Sequence, residues 1–305
     1  MSLLPLLLPI MAQVGPASAL PSNASPYASS LPIEIIEKKQ TEAARRAREA
    51  QVVALPSGKG GAGSSGCMSA VEANPERSAE LARSALDDAI GRERVRAGLC
   101  LGAALSSLDR WDEARAAFVT ARDAADAADH ASRARLGAMA GNAALAAGQP
   151  GQALGLLGPA ATDAKILADP DLTASIALDR ARALVAVKQP EEAAVALAEA
   201  RAAQPGNAQA WLLSATLSRR QNNLGQAQMH IEKAASLAPQ DPEIGLEAGV
   251  IAVLSGNEDA ARRSWNSVLA AGVGSDAAVT AKQYLSQLGP ESAPTPPTAT
   301  KKATP

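Results

Sequence analysis

From Cys67 to Leu288 small or apolar residues recur three and four positions apart, the spacing that lines one face of a helix. At intervals the pattern is broken by residues that stop one helix and begin another. The clearest stretch runs Ala208-Gln209-Ala210-Trp211 through Ala215, resumes at Leu224, Ala227, Ile231 and Ala234, and closes at Pro239. Asn222-Asn223 stands between its halves, and the matching places elsewhere hold Gly148-Gln149-Pro150, Lys188-Gln189-Pro190 and Gly256-Asn257. Each block is therefore expected to be two antiparallel helices joined by a short turn. Aligned on itself, the chain gives contiguous blocks at 174–207, 208–241 and 242–275, a period of 34 residues. Two upstream blocks, 95–128 and 134–167, keep the pattern with interposed loops. Residues 276–288, with Val279, Tyr284, Leu285 and Leu288, read as one more amphipathic helix. No convincing alternation of apolar and polar residues appears, so sandwiches and barrels are excluded.

The residues at fixed places in the blocks resemble the tetratricopeptide repeat. In the clearest block the fourth position is Trp211, the eighth Ala215, the twentieth Ala227, the twenty-fourth Ile231, the twenty-seventh Ala234 and the thirty-second Pro239. The block before it matches with Ala181, Pro190, Ala193, Leu197, Ala200 and Pro205, and the block after it with Gly249, Ala261, Trp265 and Val268. Leu101, Gly102, Trp111, Ala114, Phe118 and Ala121 carry the likeness in the first block, and Gly141, Ala153, Leu157 and Ala160 in the second. These two lack proline at position thirty-two. The resemblance implies an all-α, right-handed superhelical solenoid of about five helix hairpins, with an N-terminal capping helix within 67–94 and a C-terminal capping helix at the end of 95–288. Physical reasoning agrees. Small residues at positions eight and twenty are expected to let the paired helices approach, and bulky ones at seventeen and twenty-four to fill the remaining space. One hairpin leaves an apolar face bare, so neighbours must stack.

The resemblance also implies a groove. In such arrays the first helix of each repeat lines the concave face, and its positions two, five, six, nine, twelve and thirteen tend to point inward. That register gives Arg135 and Asn142, Asp179 and Arg182, Gln209, Thr216, Arg219 and Arg220, and Glu243 and Glu247 as candidate peptide-binding residues. Asn and Arg there are suited to the backbone and acidic groups of an extended peptide, Arg in a directional fork. Replacing Asn142 and Arg182 together by alanine is expected to abolish partner capture and leave the melting temperature unchanged. Ala138 stands where the carboxylate clamp of chaperone-binding members wants Lys or Arg, which disfavours an acidic C-terminal ligand.

Composition sharpens this picture. The chain is 47% hydrophobic but 2% aromatic, and roughly a quarter alanine, the strongest helix former and far above ordinary usage. A formal net charge of -2 offers no bulk attraction to nucleic acid or anionic membrane. No stretch approaches the roughly 20 apolar residues of a membrane span. Residues 1–19 resemble a secretory signal, with an apolar run from Leu3 to Met11 and the small triplet Ala17-Ser18-Ala19, although no Lys or Arg precedes the run. Residues 20–66 read as linker around a charged helix near 33–51, and 289–305 as a Pro/Thr/Lys tail without order. The expected location is periplasmic or secreted, with cytoplasm as the alternative.

Chemistry has few candidates. Ser57-Gly58-Lys59-Gly60-Gly61-Ala62-Gly63-Ser64-Ser65 resembles the deviant phosphate loop of ParA/MinD-type ATPases, but Ser64 stands where the lysine of that loop meets the phosphates. His130 and His230, read as surface residues, are far from any cysteine, so no metal site and no cofactor are expected. Asp112-Glu113, Glu191-Glu192 and Glu258-Asp259 open second helices, where they meet the positive end of the helix dipole. Cys67 and Cys100 are either a bridge stapling the N-terminal cap to the first repeat, worth roughly 3 to 4 kcal/mol in the chain-entropy model, or two buried thiols. The function expected is that of a non-catalytic scaffold for a protein or peptide partner, not for nucleic acid. The alternative is an accessory subunit or spacer of a cell-envelope assembly that meets its partner through the charged N-terminal helix.

Overall fold

The computed structural model describes residues 64–272 and 274–288, and these form thirteen helices and no strand. The expected leader, the charged helix near 33–51, the linker and the C-terminal tail lie outside the described residues. The helices are α1 (Ser64–Ala73), α2 (Pro75–Asp88), α3 (Gly91–Ser107), α4 (Trp111–Ala124), α5 (His130–Ala146), α6 (Pro150–Leu167), α7 (Pro170–Ala186), α8 (Pro190–Ala203), α9 (Ala208–Arg220), α10 (Leu224–Leu237), α11 (Pro242–Leu254), α12 (Glu258–Ala271) and α13 (Asp276–Gln287). Each packs chiefly on its neighbours in sequence. Five hairpins, beginning with α3, α5, α7, α9 and α11, therefore stack as a solenoid between the pair α1 and α2 and the terminal α13. The first helices of the hairpins form an inner row in which α5 touches α7, α9 touches α11, and α11 touches α13.

The turns inside the hairpins are built alike. Asp109, Gly148, Lys188, Asn222 and Gly256 all take φ between 56° and 77°, the left-handed conformation that ends a helix. In each case the next amide returns to the helix: those of Arg110, Gln149, Gln189, Asn223 and Asn257 donate to the carbonyls of Leu105, Ala144, Leu184, Ser218 and Ala252 at 2.8 to 2.9 Å. Inner helices then restart on side-chain caps. Asp129, Asp169, Asn207 and Asp241 accept backbone N–H groups at the starts of α5, α7, α9 and α11, and Ser275 does so for α13.

Two expectations need correction. The first three inner helices begin at Gly91, His130 and Pro170, four residues before the block starts counted from sequence, so they run 17 residues against 13 for α9 and α11. Much of the interposed loop is thus an added first turn. The second concerns the close approach within a hairpin, where position eight meets position twenty-four more directly than position twenty. A methyl placed on Gly102 would lie 2.5 Å from the Phe118 ring, and one on Gly141 would lie 2.5 Å from Leu157. On Gly249 it would collide with the Trp265 indole. The reason is side-chain direction: a long side chain on a helix leans toward the N-terminus, so residue twenty-four covers the turn that carries residue twenty. Position four meets twenty-seven in the same way, Gly98 against Ala121, Gly137 against Ala160 and Gly245 against Val268.

Candidate binding surface on the inner helices

All ten candidate groove residues fall on inner helices, but the structure divides them by what they already hold. Arg219 on α9 and Glu247 on α11 form a two-point clasp. Arg219 Nε donates to Glu247 Oε1 at 2.7 Å and its Nη2 to Oε2 at 3.3 Å. Only 8% and 9% of these side chains remain exposed. A second clasp joins α5 to α7: Arg182 Nη1 donates to Asp179 Oδ1 at 2.6 Å, and the Asn142 side chain donates to the same carboxylate. Burial pushes the Asp179 carboxyl above its ordinary value, and the Arg182 charge and Asn142 hydrogen bond oppose that shift without cancelling it. Arg135 Nη2 lies 3.9 Å from Oδ2 of Asp169, the cap of α7. Glu243 is half-buried in the first turn of α11. Gln209 and Thr216 are half-buried on α9, and Arg220 is exposed at its end.

The clasps change one expectation. Replacing Asn142 and Arg182 by alanine strips a buried carboxylate of its two side-chain partners, so that double variant must lose stability as well as any binding role. Gln209 and Thr216 make no side-chain hydrogen bond among the described residues, and Arg220 makes none either but feels the charges of Arg219 and Glu247.

Neither histidine is the free surface residue expected. His130 is the first residue of α5, and its Nδ1 lies 2.7 Å from Oδ1 of the buried Asp163 on α6, whose other oxygen is 3.5 Å from Arg133. His230 is buried between Ser218 and Gln226, with the Trp211 ring 5.8 Å away. Burial, then the nearby Arg201 charge, hold the His230 imidazole below its ordinary value, so it acts as a neutral hydrogen-bonding group. Arg201 in turn lies 5.1 Å above the Trp211 ring, whose Nε1 donates to the Pro205 carbonyl at 2.9 Å. Sequence reading missed this cluster, because only the aromatic at position four announced itself.

The other chemistry is sparse. Among the described residues no group of three His, Cys, Asp or Glu side chains is placed to hold a metal ion, and no helix is long and apolar enough to cross a membrane. The acid pairs Asp112-Glu113, Glu191-Glu192 and Glu258-Asp259 lie in the first turns of α4, α8 and α12. Cys67 on α1 and Cys100 on α3 are joined by a disulfide, their Cα atoms 6.0 Å apart.

No protein-family model matches the sequence, and no curated protein matches it. Solved structures do resemble it in fold. PilF of Pseudomonas aeruginosa superposes with a TM-score of 0.57 at 14% identity over 80% of this chain and 99% of that one. PilW, described as a widely conserved type IV pilus biogenesis factor, gives 0.54 at 18% identity over 80% of this chain and 97% of that one. BtubC from P. vanneervenii gives 0.54 at 16% identity, covering 77% and 99%. At such identities the likeness is one of fold. Together with the five stacked helix hairpins, it gives the chain the fold of an all-α solenoid of the tetratricopeptide type.

Proposed function

We propose that the chain is a non-catalytic scaffold that holds a partner peptide or protein domain against its inner row of helices. The observation that carries this reading is the division of labour on that row. The Asp179 and Arg219–Glu247 clasps tie neighbouring repeats together, while Gln209 and Thr216 on α9 spend no side-chain hydrogen bond within the described residues and the exposed Arg220 meets Glu247 through its charge alone. A fixed backbone with uncommitted donors and acceptors loses little entropy on binding. The test begins with peptides selected by display against the full chain. Replacing Gln209, Thr216 and Arg220 together by alanine should weaken their binding at least tenfold and leave the melting temperature unchanged. Deleting residues 20–66 should leave binding intact. If that deletion abolishes binding while the triple variant does not, the accessory-subunit reading through the N-terminal arm replaces this one.

Export to the periplasm or beyond is part of the same proposal. A disulfide fits an oxidising compartment, and 1–19 resembles a signal. The native protein should then begin at Leu20 by N-terminal sequencing, and an intact leader on cytosolic material would sink the idea.

A further inference from the structure

Two helices precede the first full hairpin, and they are held in different ways. The helix α2 lies along α3 and buries Ala79 and Ala82 in the same core cluster as Leu101, Leu105 and Phe118. The helix α1 has ten residues, rests chiefly on α2 and α3, and among the described side chains adds one buried residue, Val71, to that same cluster. A helix that short does not persist in water without tertiary support. Among the described contacts that tie it to the solenoid are Val71, the Asn74 link to α2 and the bond from Cys67 to Cys100, the one covalent cross-link. That bond is reachable. Both cysteines are half-buried and line a cleft of about 480 Å³ floored by alanines of α1, α2 and α3, with Asp88, Glu93 and Arg96 at its edge.

We propose that the Cys67–Cys100 disulfide is a reducible latch, which thiol–disulfide exchange with a dithiol opens to release α1 from the solenoid. A thiolate of the dithiol attacks one sulfur, forming a mixed disulfide and expelling the other cysteine as a thiolate, which takes a proton from water. The second thiol of the reductant then displaces the remaining cysteine, so Cys67 and Cys100 end as thiols and the dithiol ends as its own disulfide. With the tether gone, α1 loses its covalent hold on α3 and keeps the non-covalent contacts, Val71 and the Asn74 link to α2 among them. The hairpins from α3 onward keep their packing, because α2 covers the first of them without help from the bond. The N-terminal end of the array thus has a latched and an unlatched form, set by the thiol poise around it.

The test uses the full chain in native buffer with dithiothreitol, followed by alkylation and hydrogen-exchange mass spectrometry. Two alkyl adducts should form without denaturant. Amides of residues 67–73 should then exchange at least tenfold faster, with residues 130–271 unchanged, and the Cys67→Ser, Cys100→Ser double variant should reproduce that pattern without reductant. Adducts that form only in denaturant would overturn the latch, since the bond would be out of reach. Undiminished protection of 67–73 after full reduction, or faster exchange throughout the array, would overturn it equally: the first means packing alone holds α1, and the second means the bond is a global staple.

Discussion

Replacing Trp265 by alanine should cost about 3 to 5 kcal/mol, the range for removing a large buried aromatic from a packed interior. Trp265 is fully buried on α12 and packs against both α11 and α13. Its ring occupies the space left by Gly249 on α11, its Nε1 donates to the Leu246 carbonyl at 3.1 Å, and its centroid lies 5.1 Å from that of Tyr284 on α13. Truncation therefore opens the last hairpin and loosens the terminal cap together. Because repeats contact mainly their neighbours, the loss should be local. Hydrogen exchange should show α11 to α13 opening first, while α5 to α8 keep their protection. The partner glycine makes the argument sharper. Gly249→Ala should itself destabilise by about 1 to 3 kcal/mol through overpacking. In the Trp265→Ala background it should cost far less, since the obstructing ring is gone. Equal costs in both backgrounds, measured by urea unfolding, would mean that the two positions do not share one space.

The same small-against-large pairing explains the composition. Alanine and glycine dominate because inner and outer helices meet at short range along position eight and, outside the fourth repeat where Trp211 stands, along position four, while bulk is concentrated at position twenty-four in Phe118, Leu157, Leu197, Ile231 and Trp265. With one large side chain per hairpin at that place, a chain with 2% aromatic residues still fills its core.

How much of this was legible depended on distance along the chain. Hairpins, turns and period follow from local chemistry, since Gly148, Asn222 and Gly256 suit a left-handed turn residue and Pro190 suits a first helical turn. The early starts of α5 and α7 were also written locally, in the cap Asp129 and the pair Asp169-Pro170, but counting blocks by 34 residues obscured them. What could not be read was which polar groups meet across repeats. Asn142 and Asp179, or Arg219 and Glu247, come together only through the angle at which one hairpin stacks on the next, and no short-range pattern encodes that angle. The sequence register placed these residues on the right helices and assigned them all to a partner, whereas several spend their hydrogen bonds on one another. His230 misled for a related reason: a polar residue on an outer helix reads as exposed unless its neighbours Trp211 and Ser218 are known to enclose it.

Arg219→Ala should lose about 3 to 5 kcal/mol, the cost of leaving one member of a buried ion pair without its partner. Glu247 keeps its place on α11, 9% exposed, and loses both guanidinium hydrogen bonds at once. Glu247→Ala should do comparable harm by stranding the guanidinium. The double variant Arg219→Met, Glu247→Leu should behave differently. Apolar side chains of similar volume remove both desolvation costs, and stability should return to within about 1 kcal/mol of the parent or exceed it. Urea unfolding of the four proteins closes the cycle and isolates the coupling. A double variant as unstable as either single one would mean that the pair's neighbours, not the charges, set the cost. The stable double variant also has a second use. It keeps the inner row in place while erasing two of the ten candidate groove residues. Peptides that bind it as tightly as the parent assign Arg219 and Glu247 to joining repeats four and five. Peptides that no longer bind it assign the same two side chains to recognition as well.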